Sequence, residues 1–243
     1  MVGLYMLLLL PLGLIAFLLT LLGLRKSMTL FVSTIGRLFG RMLIALVGCP
    51  IRVSGQEHIP RKGGVCFVSN HGSIFDAVLL LAYTGRPIGF IAKKEFSLVP
   101  LLNIWILLIG GLFVDRQSAR KAVGTIHEGV RRLKDGGGMI IFPEGHRSRG
   151  QGLLPFRPGS FKLATMSEAP IVPVAITGSY DVFEREGIVR KSPVTVSFCA
   201  VVNTAEIPRE ERRQVLVTRT HEVIREAMEA AVPGSTGSSA TTG

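Results

Sequence analysis

Val65-Cys66-Phe67-Val68-Ser69-Asn70-His71-Gly72-Ser73-Ile74-Phe75-Asp76 is the stretch that decides how this chain is read. An apolar run over 65–68 stops at a polar turn carrying an imidazole. A carboxylate follows five positions later, where an apolar helical pattern opens over 74–83. A strand that feeds a helix through a short turn is the unit of an α/β fold. On one continuous helix, side chains five apart point about 140° away from each other, since each residue turns ~100°. With His71 in the turn and Asp76 in the first helical turn, the two converge instead. A carboxylate that orients an imidazole makes that imidazole a usable general base. A blander reading competes with this one. Ser73 and Asp76 also resemble a capping box, and a first-turn carboxylate is stabilised by the helix dipole without any catalytic role.

Outward from this stretch, short apolar runs alternate with helical patterns. Strands are predicted over 51–54, 65–68, 88–92, 111–114, 139–142, 171–176 and 194–201. Helices are predicted over 74–83, 98–108, 119–134, 160–166 and 209–230, the third stopped by Gly136-Gly137-Gly138. This alternation predicts an α/β fold, an αβ sandwich around a mostly β sheet, with no internal repeat. The last helix offers Val215, Val223, Ile224 and Met228 as its buried stripe, with charge opposite. The Gly, Ser and Thr-rich tail, 233–243, reads as disordered. The chain therefore divides into N-terminal helices (1–48), a catalytic domain (49–232) and a tail (233–243).

At 243 residues, the core is large enough to need no staples. Three widely spaced cysteines without a CxxC pair point to a reducing compartment and to no metal site. A net charge of +11 calls for an anionic partner. Nucleic acid is disfavoured, because the basic residues are dispersed and aromatics make up only 7% of the chain. The apolar excess is concentrated at the start. Residues 1–24 carry no charge and would form a helix about 36 Å long, enough for a ~30 Å hydrocarbon core. A basic n-region and a small-residue cleavage site, the marks of a signal peptide, are not visible. Arg25 and Lys26 follow at once and favour a cytoplasmic location for what comes next. Residues 28–47 form a basic amphipathic pattern. Thr34, Arg37 and Arg41 share one face, and Leu30, Phe31, Ile35, Leu38, Met42, Ala45 and Leu46 cover much of the rest. Such a helix suits a membrane interface or packs on the globular domain.

Two more blocks begin apolar and end in charge: Gly110-Gly111-Leu112-Phe113-Val114-Asp115-Arg116 and Phe142-Pro143-Glu144-Gly145-His146-Arg147-Ser148-Arg149. In open α/β sheets, ligands bind beyond the carboxyl ends of strands, and both blocks fall there with His71. Arg116 and Arg147 present rigid forks of donors that suit phosphate oxygens. Each of these arginines taken alone is equally a surface side chain, and Glu144 alone is equally a turn carboxylate paired with an arginine. No G-x-S-x-G nucleophile elbow is present, which argues against a serine hydrolase. A non-catalytic binder of anionic lipid would share the charge and the anchor, but would not need His71 and Asp76 together.

The order and spacing of these blocks resemble the glycerolipid acyltransferases, above all the 1-acyl-sn-glycerol-3-phosphate (lysophosphatidic acid) acyltransferases. That family carries N-H-x4-D, G-x-x-F-x-x-R, E-G-T-R-S and an apolar block with a central Pro. Here stand Asn70-His71…Asp76, Gly110…Phe113…Arg116, Glu144-Gly145-His146-Arg147-Ser148 and Ile171-Val172-Pro173-Val174, with Phe156-Arg157-Pro158-Gly159 between the last two. His146 departs from the family's usual Thr. The resemblance implies a membrane enzyme of the cell inner membrane whose acyltransferase domain faces the cytoplasm. It implies lysophosphatidic acid as acceptor, acyl-CoA or acyl carrier protein as co-substrate, and neither cofactor nor covalent acyl-enzyme. Another lysophospholipid or glycerol 3-phosphate remains an open alternative as acceptor. By the same resemblance His71 is the base and Asp76 its partner. Asn70, Lys93, Lys94, Gly110, Phe113, Arg116, Glu144, Gly145, Arg147, Ser148 and Pro173 form or shape the acceptor site.

Overall fold

The computed structural model describes residues 21–100, 102–115 and 118–231, together with Pro11, Leu14, Ile15 and Leu18. Helix α1 (Arg25–Val47) precedes β1 (Ile51–Ser54), β2 (Val65–Ser69), α2 (Phe75–Tyr83) and β3 (Ile88–Lys93). Then follow α3 (Leu102–Leu108), β4 (Leu112–Val114), α4 (Ala119–Lys134), β5 (Gly138–Ile141), α5 (Lys162–Ser167), β6 (Ile171–Thr177), α6 (Ser179–Val182), β7 (Val194–Phe198) and α7 (Arg212–Ala230). The seven strands form one sheet in the order β1-β7-β6-β2-β5-β3-β4. All neighbours run parallel except β6 and β7. The mixed α/β fold expected from the alternating pattern is present.

β2 sits at the centre and is buried along its whole length. Its alternation supplies both faces of the sheet. Val65 and Phe67 join Leu79, Leu80, Val172, Val174 and Ile176 under α1 and α2. Cys66 and Val68 join Leu133, Met139, Phe161, Leu163, Leu216 and Ile224 under α4, α5 and α7. Each large aliphatic or aromatic side chain so buried contributes about 1.5–3 kcal/mol. A strand covered on both faces must read as a continuous apolar run, which is why 65–68 was legible. All three cysteines are free thiols, and burial pushes the Cys66 thiol up to about 12.

Several boundaries and one buried face differ from those predicted. The helix predicted over 98–108 is present as α3 only from Leu102; Leu98 instead closes a 3₁₀ turn (Lys94–Leu98), and Pro100 between them disfavours a helical residue before it. The segment predicted as helix over 160–166 starts as a 3₁₀ turn (Pro158–Phe161) before α5. β7 stops at Phe198, and the chain rejoins β6 only at the Ile171–Val202 bridge. The interruption lies beside Pro173, which has no N–H to give to the ladder and whose carbonyl accepts the Cys199 N–H at 2.8 Å. On α7 the buried residues are Arg212, Leu216, Thr220 and Ile224; of the expected stripe, Ile224 is buried, Val215 and Met228 pack half-buried against the core, and Val223 is half-buried. Arg212 is held there by Glu168 and the Ile207 carbonyl.

Of the N-terminal segment 1–24, most lies outside the described residues; Leu14, Ile15, Leu18 and Leu21 are helical and exposed. Within α1, Thr29–Val47 is long and apolar enough to cross a membrane by length and composition. One side of this helix packs on α2 through Val32, Gly36, Gly40 and Ile44, a seam at four-residue spacing. A Cβ at Gly40 would stand 3.2 Å from the Val78 carbonyl and 3.3 Å from the Ala82 Cβ, so the two helices approach closely. Leu30, Leu38, Met42 and Leu46 point outward and are exposed. The tail expected over 233–243 lies outside the described residues.

Candidate active site

Asn70 begins the turn that carries the base, and its side chain fixes the turn to the sheet. Its Nδ2 donates to the Ile176 carbonyl and its Oδ1 accepts the Ile176 N–H, both at 2.8 Å. This residue of the expected acceptor site is buried and acts as a strut between β2 and β6. The next residue, His71, donates its backbone N–H to Glu144 Oε1 at 2.8 Å, and its carbonyl accepts the Ser148 N–H at 2.7 Å. The ring stacks on Phe142, with centroids 4.0 Å apart and planes 19° from parallel. Backbone and ring are thus held by β5 and its following loop, on the neighbouring strand.

His71 Nδ1 lies 3.0 Å from Asp76 Oδ2. The same oxygen accepts the Ser73 N–H at 2.8 Å. An oxygen receiving a backbone N–H acts as an acceptor, so Nδ1 is the donor to it and Nε2 is the ring nitrogen that Asp76 does not engage. Asp76 is fully buried in the first turn of α2, while the His71 side chain is 20% exposed. The expected convergence of turn and helix is present. The Ser73 N–H is committed to Asp76, which leaves that of Gly72, among the described residues, without an intramolecular acceptor.

Glu144 is 2% exposed. Burial pushes its carboxyl up to about 7, and Asp76 adds to the rise, against the pull of the His71 and Leu154 N–H groups. Gly145 follows at φ 83°, a left-handed conformation that suits glycine, and a Cβ there would lie 2.8 Å from Arg157 Nε. Arg147 donates from Nη1 to Glu184 Oε1 at 3.1 Å and is 37% exposed. Ser148 is buried under the base, held by its bond to His71.

A family profile described as Acyltransferase matches residues 50–177, more than half of the chain. The chain belongs to the acyltransferase family. It is 35% identical over 173 residues to a 1-acyl-sn-glycerol-3-phosphate acyltransferase of Limnanthes douglasii, covering 70% of this chain and 60% of that protein. A protein of the same name from Escherichia coli (strain K12) is 35% identical over 147 residues, 60% of each chain. The matched region thus spans about 60% of the length of these curated relatives. The crystal structure of the 1-acyl-sn-glycerophosphate (LPA) acyltransferase PlsC from Thermotoga maritima superimposes with a TM-score of 0.75 at 28% identity. That match covers 85% of this chain and 82% of the other.

In this member of the family the other expected site residues divide between that sheet edge and positions away from it. Lys93 ends β3 and is exposed; Lys94 follows, its Nζ 3.3 Å from Asp115 Oδ2 beyond β4. Gly110, expected in the acceptor site, instead lies before β4 beside Ile88 and Gly89 at the amino end of β3, away from His71, and supplies its carbonyl to Arg132; Phe113 is half-buried on β4, paired with Ala92. Arg116 lies outside the described residues. Pro173 is buried within β6, level with Val68, so it sits inside the sheet below the edge where His71 stands.

Three contributors were not singled out in the sequence. Phe142 under the ring was in view as the apolar start of its block, since the residue that follows β5 neighbours the turn that follows β2 in a parallel pair. Arg157 over Gly145 had only its place in the intervening Phe-Arg-Pro-Gly segment as a signal. Glu184 had none, because it reaches Ser73 from 111 positions away.

Proposed function

We propose that the protein transfers an acyl group from an acyl thioester, acyl-CoA or acyl-ACP, to the sn-2 hydroxyl of lysophosphatidic acid, giving phosphatidic acid. The observation that carries this reading is the buried Asp76 carboxylate on Nδ1 of a partly exposed His71 whose Nε2 is free. Nε2 takes the hydroxyl proton as the oxygen attacks the thioester carbonyl. A new C–O bond forms, the C–S bond breaks, and the imidazolium returns its proton to the departing thiolate. Asp76 stabilises the imidazolium, the role of the acid in a Ser-His-Asp triad, with the substrate hydroxyl as nucleophile. The uncommitted Gly72 N–H is a donor suited to the oxyanion. Arg147 and Arg116 hold the substrate phosphate, with Lys93 and Lys94 adding positive potential at the same edge. Phe113, Glu144, Gly145 and Ser148 shape the acceptor site, and Asn70 and Pro173 support it through the sheet.

The same reading places the enzyme on the cytoplasmic side of the cell inner membrane. Acceptor and product both partition to the bilayer, since drawing a chain into water costs about 0.8 kcal/mol per methylene. The exposed Leu30, Leu38, Met42 and Leu46 of α1 support contact with lipid. Purified protein incubated with lysophosphatidic acid and each thioester, followed by lipid mass spectrometry, tests the proposal. Phosphatidic acid should form, and His71→Ala should abolish it while leaving fold and vesicle binding intact. Turnover retained by that variant would remove the base assignment, and preference for another acceptor in a parallel panel would replace the substrate.

A further inference from the structure

Glu184 is a largely buried acid, its side chain 9% exposed, to which the transfer chemistry gives no role. It follows the short helix α6, after β6. Its Oε2 accepts from Ser73 Oγ at 2.5 Å, and its Oε1 accepts the Ile74 N–H at 2.6 Å and Arg147 Nη1 at 3.1 Å. Ser73 Oγ in turn accepts the Phe75 N–H at 2.9 Å.

These contacts meet a specific need. α2 begins at Phe75, and Ile74, at its N-cap, has no side chain able to accept an N–H. The first turn of a helix leaves backbone N–H groups without intrahelical partners. Glu184 satisfies one of them directly and a second through Ser73, and its charge complements the positive end of the helix. That turn carries Asp76 and therefore sets the orientation of the His71 ring. The same carboxylate also fixes the Arg147 guanidinium, the end of a long side chain that otherwise samples many rotamers. One group thereby couples two loops that come from different strands.

We propose that Glu184 is a positioning residue for acyl transfer, holding the first turn of α2 and the Arg147 guanidinium at a fixed separation so that base and anion clamp address one acceptor molecule. This rests on the reading of His71 as base and Arg147 as phosphate ligand. Arg147 keeps most of its five donors for that ligand while Glu184 uses one.

The test uses the full chain in lipid micelles with Glu184→Gln and Glu184→Ala. Three quantities are measured: the thermal midpoint, KM for lysophosphatidic acid and for the thioester separately, and the ¹⁵N signals of the His71 ring, which distinguish its tautomers. Glu184→Gln removes the carboxylate charge that faces the Arg147 guanidinium but keeps an amide oxygen as acceptor for α2. It should raise KM for the phosphorylated acceptor about tenfold, the scale of one charge-assisted hydrogen bond, and leave the thioester KM unchanged. Glu184→Ala should also lower kcat and convert the single Nδ1–H tautomer into a mixture. An unchanged acceptor KM in the Gln variant, or an unchanged tautomer in a folded Ala variant, would overturn the proposal. A general rise in both KM values with a lowered midpoint would reduce Glu184 to a stabilising contact and overturn it equally. A wild-type protein that does not acylate lysophosphatidic acid defeats the functional reading instead, and the tautomer measurement then decides Glu184 by itself.

Discussion

Replacing Asp76 by Asn removes one charge from a fully buried side chain 3.0 Å from the His71 ring. In the proposed reaction the ring starts as a neutral base and gains the substrate proton in the transition state. The lost attraction is therefore felt almost entirely in the transition state. Two unit charges about 4 Å apart at an effective dielectric near 20 interact by about 4 kcal/mol. At about 1.4 kcal/mol per decade, kcat should fall roughly a thousandfold. The amide has no neutral way to fit. With its oxygen at the Oδ2 position it keeps the Ser73 and His71 donors, but its NH₂ then occupies the Oδ1 position, which is buried and has no hydrogen-bond partner. An unsatisfied group there costs about 1–3 kcal/mol. Flipped, the NH₂ faces the Ser73 N–H and forces the imidazole proton onto Nε2, which removes the base. The assay is phosphatidic acid formation at saturating acceptor and thioester, with the thermal midpoint as a check on folding. KM should be little changed, because no ground-state contact with substrate is lost. A folded variant with kcat within tenfold of wild type would refute the view that His71 becomes charged during the rate-limiting step with Asp76 as its stabiliser.

Glu144 titrates near 7 in the folded chain, against an ordinary value of 4.5. Between these values the folded state holds a proton that the unfolded state has lost, so stability falls as pH rises, by about 3 kcal/mol over that window. Glu144→Gln keeps an acceptor for the His71 N–H and should flatten this part of the melting-temperature profile between pH 4.5 and 7; an unaltered profile would contradict the assignment. Gly145→Ala combines a left-handed backbone with a Cβ 2.8 Å from Arg157 Nε, and should cost about 1–2 kcal/mol in chemical denaturation. Gly40→Val should lower the thermal midpoint, with a loss of about 1–3 kcal/mol, by forcing α1 away from the Val78 carbonyl and Ala82; an unaffected midpoint would show that α1 docks loosely. Cys66, with its thiol held near 12, should resist alkylation at pH 8 until the protein is unfolded, as mass spectrometry would register.

The parts of the fold that could be read from the chain are those whose cause is local. β2 is covered on both faces, so its residues are all apolar, and the polar turn after it marks where cover ends. The His71–Asp76 pair is equally local, since a turn and one helical turn suffice to close it. The errors arose where tertiary context selects among similar patterns. α7 buries Arg212 and Thr220, which no apolar stripe would include, because Glu168 and the Ile207 carbonyl satisfy the arginine from outside the helix. The apolar residues of 98–108 fit a helix by period, yet Pro100 divides them. Asn70, expected in the acceptor site from its place beside His71, also ties β2 to the Ile176 backbone through both Nδ2 and Oδ1, a long-range pairing that the local sequence does not signal.

The same distinction explains how the site is made rigid without any strained residue at its centre. Asp76 and Asn70 hold the turn from its own strand and helix, and both lie in the motif that drew attention first. The remaining restraints come from other loops: Glu144 and Ser148 on the His71 backbone, Phe142 beneath the ring, Glu184 on the start of α2. Each uses an acceptor, donor or ring face that the turn itself cannot satisfy. The motif residues alone would leave the Ile74 N–H unpaired and the imidazole free to rotate with its helix. A base that must accept a proton in one direction needs both sets of restraints. The chemistry is therefore concentrated in two residues, while the orientation that permits it is spread over β5, β6 and the loops beyond their carboxyl ends.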